Sequence, residues 1–327
     1  MRSHYKIGGR ELLPYSCRMD ALPIILDCDP GHDDALAMIL AAKNPALKLL
    51  GITTVSGNGG ISKVTLNARR IATLANIDVP IAEGAGKSIL GAFEEANDIH
   101  GESALDGAEL PEPKIELSPL HAVDLIAKLI RESDKSVTLI ATGPLTNIAL
   151  FLKMHPRLKP KISEIVFMGG SASRGNRTPY AEFNIWMDPE AAEVVLQSGL
   201  PLTMCGLDVT HQALVTPDIF NELDKMNSKL SKIIIGLLKF FAKTYDEVFE
   251  MPDPPLHDPV AVALLIDRTV VKTRMVNVEV ELSGTLTRGA TVVDLHNRLG
   301  RSANCNVALE LDRSKFWNLM LTAIRSC

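Results

Sequence analysis

No apolar run in the 327-residue sequence approaches the ~20 residues that a bilayer-spanning helix needs. The best candidate, Ile233 to Ala242, is short and carries Lys239. The N-terminus has no continuous apolar core of a secretory signal. There is no excess of positive charge: 34 Lys and Arg stand against 39 Asp and Glu, a net of −5. That argues against a general nucleic-acid binder. The five cysteines, Cys17, Cys28, Cys205, Cys305 and Cys327, form no CxxC pair and no disulfide framework. Isolated cysteines suit a reducing, cytoplasmic setting, where they pack as small apolar groups. Aromatics are sparse at 5%, with Trp186 and Trp317 the two tryptophans. No internal repeat, low-complexity run or Ser/Gly linker divides the chain.

What is present is a core-forming composition, 46% hydrophobic and 22% charged, which excludes a disordered chain. The length allows one large α/β domain. Residues 1–18 read as a polar N-terminal extension without fixed order. From Met19 to Cys327 short apolar runs alternate with helical periodicity. Strands are expected at 22–26, 47–55, 136–141, 163–168 and 201–205. Helices are expected at 33–42, 61–75, 120–130, 146–154 and 189–197. Residues 83–116, rich in Gly, Pro and acids, read as a long loop. This βαβα alternation predicts an α/β fold with a mostly parallel, helix-covered central sheet. From about residue 217 to 256 the pattern is a helical elaboration, with 219–249 largely helical. Residues 276–282 and 291–295 read as an edge hairpin, and 314–324 as a closing helix.

Acidic residues cluster where the first strand ends. Asp27, Asp29, Asp33 and Asp34 fall within eight positions. Ligands in open α/β sheets bind at the carboxyl ends of strands. Carboxylates converging there repel one another and raise each other's pKa. A hard divalent cation keeps them ionised. The plainer reading of Asp33 or Asp34 is a cap on the following helix, but that leaves Asp29, before the Pro30-Gly31 turn, without a role. Other strand ends carry Asn58, Thr142 and Met168, each beside a glycine. Glu182 and Asn184, two apart, would face the same side of an extended segment. His257-Asp258 opens a helix after Pro254-Pro255.

Together these segments resemble the inosine–uridine-type nucleoside hydrolases. The signature Asp27-Cys28-Asp29-Pro30-Gly31-His32-Asp33-Asp34-Ala35 is the most specific part. Thr53 to Asn58, Thr142 to Asn147, Met168-Gly169-Gly170, Ala181 to Asn184 and His257-Asp258-Pro259 follow in the family's order. The resemblance runs from about Pro23 to the C-terminus.

It implies a Rossmann-like fold and hydrolysis of the N-glycosidic bond of ribonucleosides to ribose and free base. It implies a bound Ca²⁺ held by the carboxylates of Asp29, Asp34 and Asp258 and the carbonyl of Thr142. Water and the ribose 2′- and 3′-hydroxyls would complete the shell. Asp33, Asn58, Glu182 and Asn184 would hydrogen-bond the ribose, with Met168 packing nearby. Asp29 would be the general base for the attacking water, and His257 the proton donor to the departing base. The wording His100-Gly101-Glu102-Ser103 resembles the pyrimidine-preferring branch, which places His100 over the base and predicts uridine and cytidine as favoured substrates. Ala104 stands where that branch commonly has Gly. His32 reads as a structural residue, and Phe241 and Tyr245 as lining of the base pocket. A homodimer or homotetramer is expected, with a nucleoside substrate and no nucleic-acid or membrane partner.

Three other readings are open on the residues. A haloacid-dehalogenase-type phosphatase also uses Asp-x-Asp after its first strand, but Gly31 stands where it needs Thr or Val. A purine or broad-specificity hydrolase, or a non-catalytic nucleoside- or ribose-binding protein, would keep the fold. The last would be signalled by loss of Asp29 or Asp258, and both are present.

Overall fold

The computed structural model describes residues 21–91 and 93–327. The expectation for residues 1–18 lies outside them. Among the described residues nine strands form one sheet: β1 (Leu22–Cys28), β2 (Leu47–Thr54), β3 (Ile81–Glu83), β4 (Val137–Ala141), β5 (Ile162–Met168), β6 (Leu202–Cys205), β7 (Val271–Val280), β8 (Thr291–Asp294) and β9 (Cys305–Leu311). The helices are α1 (His32–Lys43), α2 (Ile61–Leu74), α3 (Asn97–His100), α4 (Ala122–Glu132), α5 (Thr146–Met154), α6 (Phe183–Met187), α7 (Pro189–Leu196), α8 (Leu207–Thr210), α9 (Pro217–Met226), α10 (Lys229–Phe249), α11 (Asp258–Ile266) and α12 (Arg313–Arg325).

The strand order is β3-β2-β1-β4-β5-β6-β9-β7-β8. The strands from β3 to β9 in that order pair in parallel, and β7 runs antiparallel to both β9 and β8. The expected fold class is therefore the observed one. β1 is buried along nearly its whole length and reads as a continuous aliphatic run, as a strand covered on both faces must. The chain leaves β1 for β2 on one side and later returns to β4 on the other. This reversal opens a crevice at the carboxyl ends of β1 and β4. Register brings those ends level, with Cys28 opposite Thr54 and Asp27 opposite Ala141.

One apolar layer packs α1, α10, α11 and α12 against the sheet, around Leu36, Ile39, Phe241, Val260 and Phe316. The opposite layer packs α4, α5 and α7 around Ile126, Phe151 and Val195. α1 and α11 are buried all round because each lies between the sheet and other helices.

Three sequence expectations change. The helical stretch 219–249 is two helices, broken at Asn227, whose φ of 46° ends α9 in a left-handed cap, and at Ser228, which N-caps α10. Two strands, β3 and β9, escape the pattern reading. β3 is three residues long, and β9 places Asn306 and Glu310 among its apolar residues. The segment around Glu182 is not extended: Glu182 N-caps α6, and its carboxylate accepts from the amides of Asn184 (3.0 Å) and Ile185 (3.1 Å). Helix-start geometry, not strand alternation, brings Glu182 and Asn184 to one place.

Candidate active site

The Pro30-Gly31 turn after β1 feeds directly into α1, so Asp29 sits at the strand's end and Asp33 and Asp34 in the first helical turn. The capping reading of Asp34 is correct as far as it goes: its Oδ2 accepts from the Gly31 amide at 3.1 Å. The same carboxylate also accepts from Thr142 Oγ1 at 2.7 Å and from Asn58 Nδ2 at 3.2 Å, which ties β1, β2 and β4 together at the crevice. Asp29 Oδ2 accepts from the Asn58 amide at 2.8 Å, while Asn58 Nδ2 donates to the Asp29 carbonyl at 3.1 Å. Gly57 and Gly143 lie so close to Asp29 that a Cβ at either would strike its carboxylate.

Asp258, at the start of α11, completes the group. Carboxylate oxygens of Asp33, Asp34 and Asp258 lie within 4.8 Å of one another, and all three residues are buried. Sequence reading assigned Asp33 to ribose and Asp29 to the cation. Geometrically Asp33 stands in the tight trio and Asp29 just outside it. Burial, then the neighbouring Asp34 charge, raises Asp33 to about 7. Burial first, and Asp34 next, also pushes Asp29 well up. Burial and then Asp33 do the same to Asp258. No lysine or arginine is among the leading influences on these carboxylates. Asp29 Oδ1 is buried without a hydrogen-bond partner. An all-oxygen donor set with uncompensated charge and an orphaned carboxylate oxygen fits a hard cation such as Ca²⁺ or Mg²⁺. The Thr142 carbonyl accepts from Asn184 Nδ2 at 2.7 Å and keeps a second lone pair.

From these carboxylates opens a cavity of about 260 Å³. Asp33, Asn58, Thr142, Met168, Glu182, Asn184, His100, His257 and Asp258 all line it. Asn184 Nδ2 also reaches the Met168 carbonyl at 3.2 Å. Glu182 Oε2 accepts from the Gly170 amide at 2.9 Å, and burial raises Glu182 to about 7. Ile99 from α3 and Phe241, Tyr245 and Phe249 from α10 supply the aromatic and aliphatic part of the lining. His257 Nε2 meets the Tyr245 hydroxyl at 2.6 Å, and its Nδ1 meets Thr210 Oγ1 at 2.8 Å. Burial, with His211 adding, holds His257 well below the usual imidazole range, so the ring is neutral near pH 7.

Opposite it, His100 Nδ1 lies 3.0 Å from His32 Nδ1, and His32 Nε2 lies 2.7 Å from the Asp106 carbonyl oxygen. Burial draws His32 down to about 4 and His100 well below its usual value. A buried acidic end for vicinal hydroxyls and an apolar end with two imidazoles for a flat heterocycle are what a nucleoside presents in reverse.

The sequence profile of the inosine-uridine preferring nucleoside hydrolases matches residues 24–318. The chain belongs to that family. This nucleoside hydrolase is 46% identical over 304 residues to the pyrimidine-specific ribonucleoside hydrolase RihA of Shewanella sp. (strain ANA-3), covering 92% of this chain and 96% of the relative. It is 44% identical over 307 residues to the protein of the same description from Escherichia coli O1:K1 / APEC, covering 93% and 99%. Among solved structures, the purine-preferring ribonucleoside hydrolase from Gardnerella vaginalis superposes with a TM-score of 0.86 at 34% identity, covering 93% and 98%.

Residue-by-residue reading missed part of this hydrolase's cavity. Asn176 and Arg177 line it from the loop after β5. Asn176 Oδ1 accepts from the Phe183 amide at 2.9 Å, and Arg177 pairs with Glu94 and stacks on Trp186. The Gly175-Asn176 pair was the available signal. His211, given no role from sequence, lies 5.5 Å from His257 ring to ring. Thr210 carried no signal at all, since only the fold brings α8 beside α11. No helix among the described residues is long and apolar enough to cross a membrane.

Proposed function

We propose that this nucleoside hydrolase prefers pyrimidine ribonucleosides, holds Ca²⁺ among Asp29, Asp34, Asp258 and the Thr142 carbonyl, and works as a cytoplasmic homo-oligomer with residues 19–327 as its catalytic domain. The observation that carries the reading is one cavity lined both by buried carboxylates and by His100, His257 and Tyr245. The relatives described as pyrimidine-specific are the more similar in sequence, which supports the base preference. The free cysteines among the described residues support the compartment.

Asp33, Asn58, Glu182 and Asn184 take the ribose hydroxyls. Each has neighbours that fix its orientation, so little reorganisation accompanies binding. When bound, a hard cation offsets the carboxylate repulsion, orders the vicinal hydroxyls and acidifies water at its edge. Asp29 takes a proton from the attacking water, whose oxygen adds to the anomeric carbon as the C–N bond breaks. The ring passes through an oxocarbenium-like transition state that the carboxylates stabilise. The Phe241 and Phe249 wall excludes bulk water from the base. The base leaves with a proton from the Tyr245–His257 pair, whose far nitrogen is held by Thr210.

The test is a panel of uridine, cytidine, inosine and adenosine, assayed for released ribose with and without a chelator. Uridine and cytidine should show the highest kcat/KM, and verified metal removal should abolish turnover until Ca²⁺ is restored. Inosine selectivity above uridine would overturn the base preference. Metal-independent turnover would overturn the cation.

A further inference from the structure

His32 lies in the signature segment but does not itself line the cavity; it packs directly behind His100 and Phe241, which do. It is wholly buried, with its ring stacked against Phe240 (5.5 Å) and Phe241 (5.2 Å). Its two ring nitrogens are both engaged. Nε2 faces the Asp106 carbonyl, which only accepts, so Nε2 carries a hydrogen. No carboxylate oxygen is hydrogen-bonded to the ring to hold a second one, and a buried ring between aromatic faces is neutral. Nδ1 is then a bare acceptor. The hydrogen in the 3.0 Å contact between the two Nδ1 atoms therefore belongs to His100. The His32 amide N–H donates toward the same His100 nitrogen at 3.4 Å, a contact that would suit the opposite tautomer but is the longer and weaker of the two.

A neutral imidazole with hydrogen on Nδ1 has a bare Nε2. His100 lines the cavity, and its Nδ1 edge is turned toward Gly31 and His32. We infer that His32 is a positioning residue that fixes the His100 tautomer, so that His100 Nε2 meets the base as a hydrogen-bond acceptor and selects bases presenting an N–H. The N3–H of uracil and the exocyclic amine of cytosine are such donors. This assignment rests on the nucleoside-hydrolase reading, and it divides the work at the base end. His100 recognises, and the proton for the leaving base comes from the Tyr245–His257 side.

The turn that supplies the Asp106 carbonyl is built for its place. The Asp106 carboxylate accepts from the amides of Glu102 (3.0 Å) and Ser103 (3.3 Å), and the Asp106 amide donates to the His100 carbonyl at 3.2 Å. The loop thus holds both the ring that reads the base and the carbonyl that sets the ring's tautomer.

Long-range proton–nitrogen spectra of ¹⁵N-histidine-labelled protein, without substrate and at neutral pH, report which nitrogen of each ring bears hydrogen. His100, assigned by its disappearance in His100→Gln, should show a protonated Nδ1 and a bare Nε2. His32→Phe keeps the stacking but removes the acceptor. It should move the His100 hydrogen to Nε2 and raise KM for uridine about tenfold, the scale of one hydrogen bond, with kcat changed much less. His32→Gln, whose amide offers one donor and one acceptor, should restore both the tautomer and KM. A wild-type His100 protonated on Nε2, or on both nitrogens, overturns the proposal. So does a folded His32→Phe protein with unchanged tautomer and KM. If His32→Phe does not fold, the wild-type and His32→Gln spectra still decide it. Uridine turnover by the wild type separately checks the reading on which the proposal rests.

Discussion

The two ends of the cavity are built differently. The carboxylate end is made at the tips of β1 and β4 and the first turns of α1 and α11. Its side chains are clamped by direct hydrogen bonds such as Thr142 to Asp34 and Asn58 to Asp29, which join separate strand ends. The base end hangs on α10, the four-residue α3 and the turn from Gly101 to Asp106, and its members lie far apart in sequence. A scaffold that must hold several like charges within a few ångströms needs the rigidity of strand termini. A surface that recognises one heterocycle among several can be carried by a loop and a helix.

The sharpest way to break the comparison is at the acidic end. Asp29→Asn keeps the shape and the contact with the Asn58 amide but removes charge and basicity. It should lower kcat for uridine on the order of 10³ or more, with the fold intact by circular dichroism. Near-normal turnover would show that the acidic end does not supply the base.

The next effect concerns stability. Asp33 and Glu182 rise to about 7 in the folded protein, against ordinary values of 3.8 and 4.5. Between the two limits the folded state holds protons that the unfolded state has released. Metal-free stability therefore falls as pH rises from about 4 to about 7. A cation bound by Asp29, Asp34 and Asp258 favours the ionised form of these carboxylates and of Asp33 beside them, so its affinity rises over the same window. Melting curves of chelated protein should show Tm dropping across that range, and Ca²⁺ should flatten or reverse the slope. A chelated protein equally stable at both ends would mean the carboxylates are not strained as described.

At the base end the expected effects are smaller. Tyr245→Phe keeps the wall but removes the hydroxyl 2.6 Å from His257 Nε2. It should cost about 10² in kcat on uridine, and His257→Ala a similar amount, with the double variant no worse than the worse single one. Additive losses would show two independent proton donors rather than one pair.

This contrast also explains what was legible. The acidic end is written in one contiguous signature, because a strand, a turn and a helix start place Asp29, Asp33 and Asp34 together by local geometry alone. Asp258 was found through its neighbour His257. The parallel sheet followed from alternating aliphatic runs, except for β3 and β9, which are too short or too polar at alternate positions. Glu182 and Asn184 were found for the wrong local reason, since a helix cap and a strand both bring residues two apart near each other. Tyr245 was visible as lining, but its contact with His257 was not, because it joins the end of α10 to the start of α11 across the break at Pro252. The partnership of His32, His100 and Asp106 is longer-range still, spanning β1's outgoing turn and the loop after α3.

The smallest expected effect lies in that loop. Ala104 has φ of 61°, a left-handed conformation that costs an L-residue about 1–2 kcal/mol. The sequence places this Ala where the pyrimidine-preferring branch commonly has Gly, and the turn accommodates it, with the Ala104 amide donating to the Gly101 carbonyl at 3.1 Å. Ala104→Gly relieves the backbone cost. It also loses a fully buried methyl that packs against Gly59, worth about 0.8 kcal/mol, and adds about 0.4–1 kcal/mol of unfolded-state freedom. The three nearly cancel. Ala104→Gly should therefore shift Tm by no more than about 2 °C and leave KM for uridine unchanged. Gly101→Ala is the counter-case. Gly101 has φ of 78°, and a Cβ there would run into the Asp106 carboxylate that folds the turn. That variant should raise KM for uridine while leaving cation affinity untouched, since the loop carries His100 and none of the acidic group. If Gly101→Ala instead weakened the cation, the two ends of the cavity would be coupled through this loop, and the division of labour between them would fail.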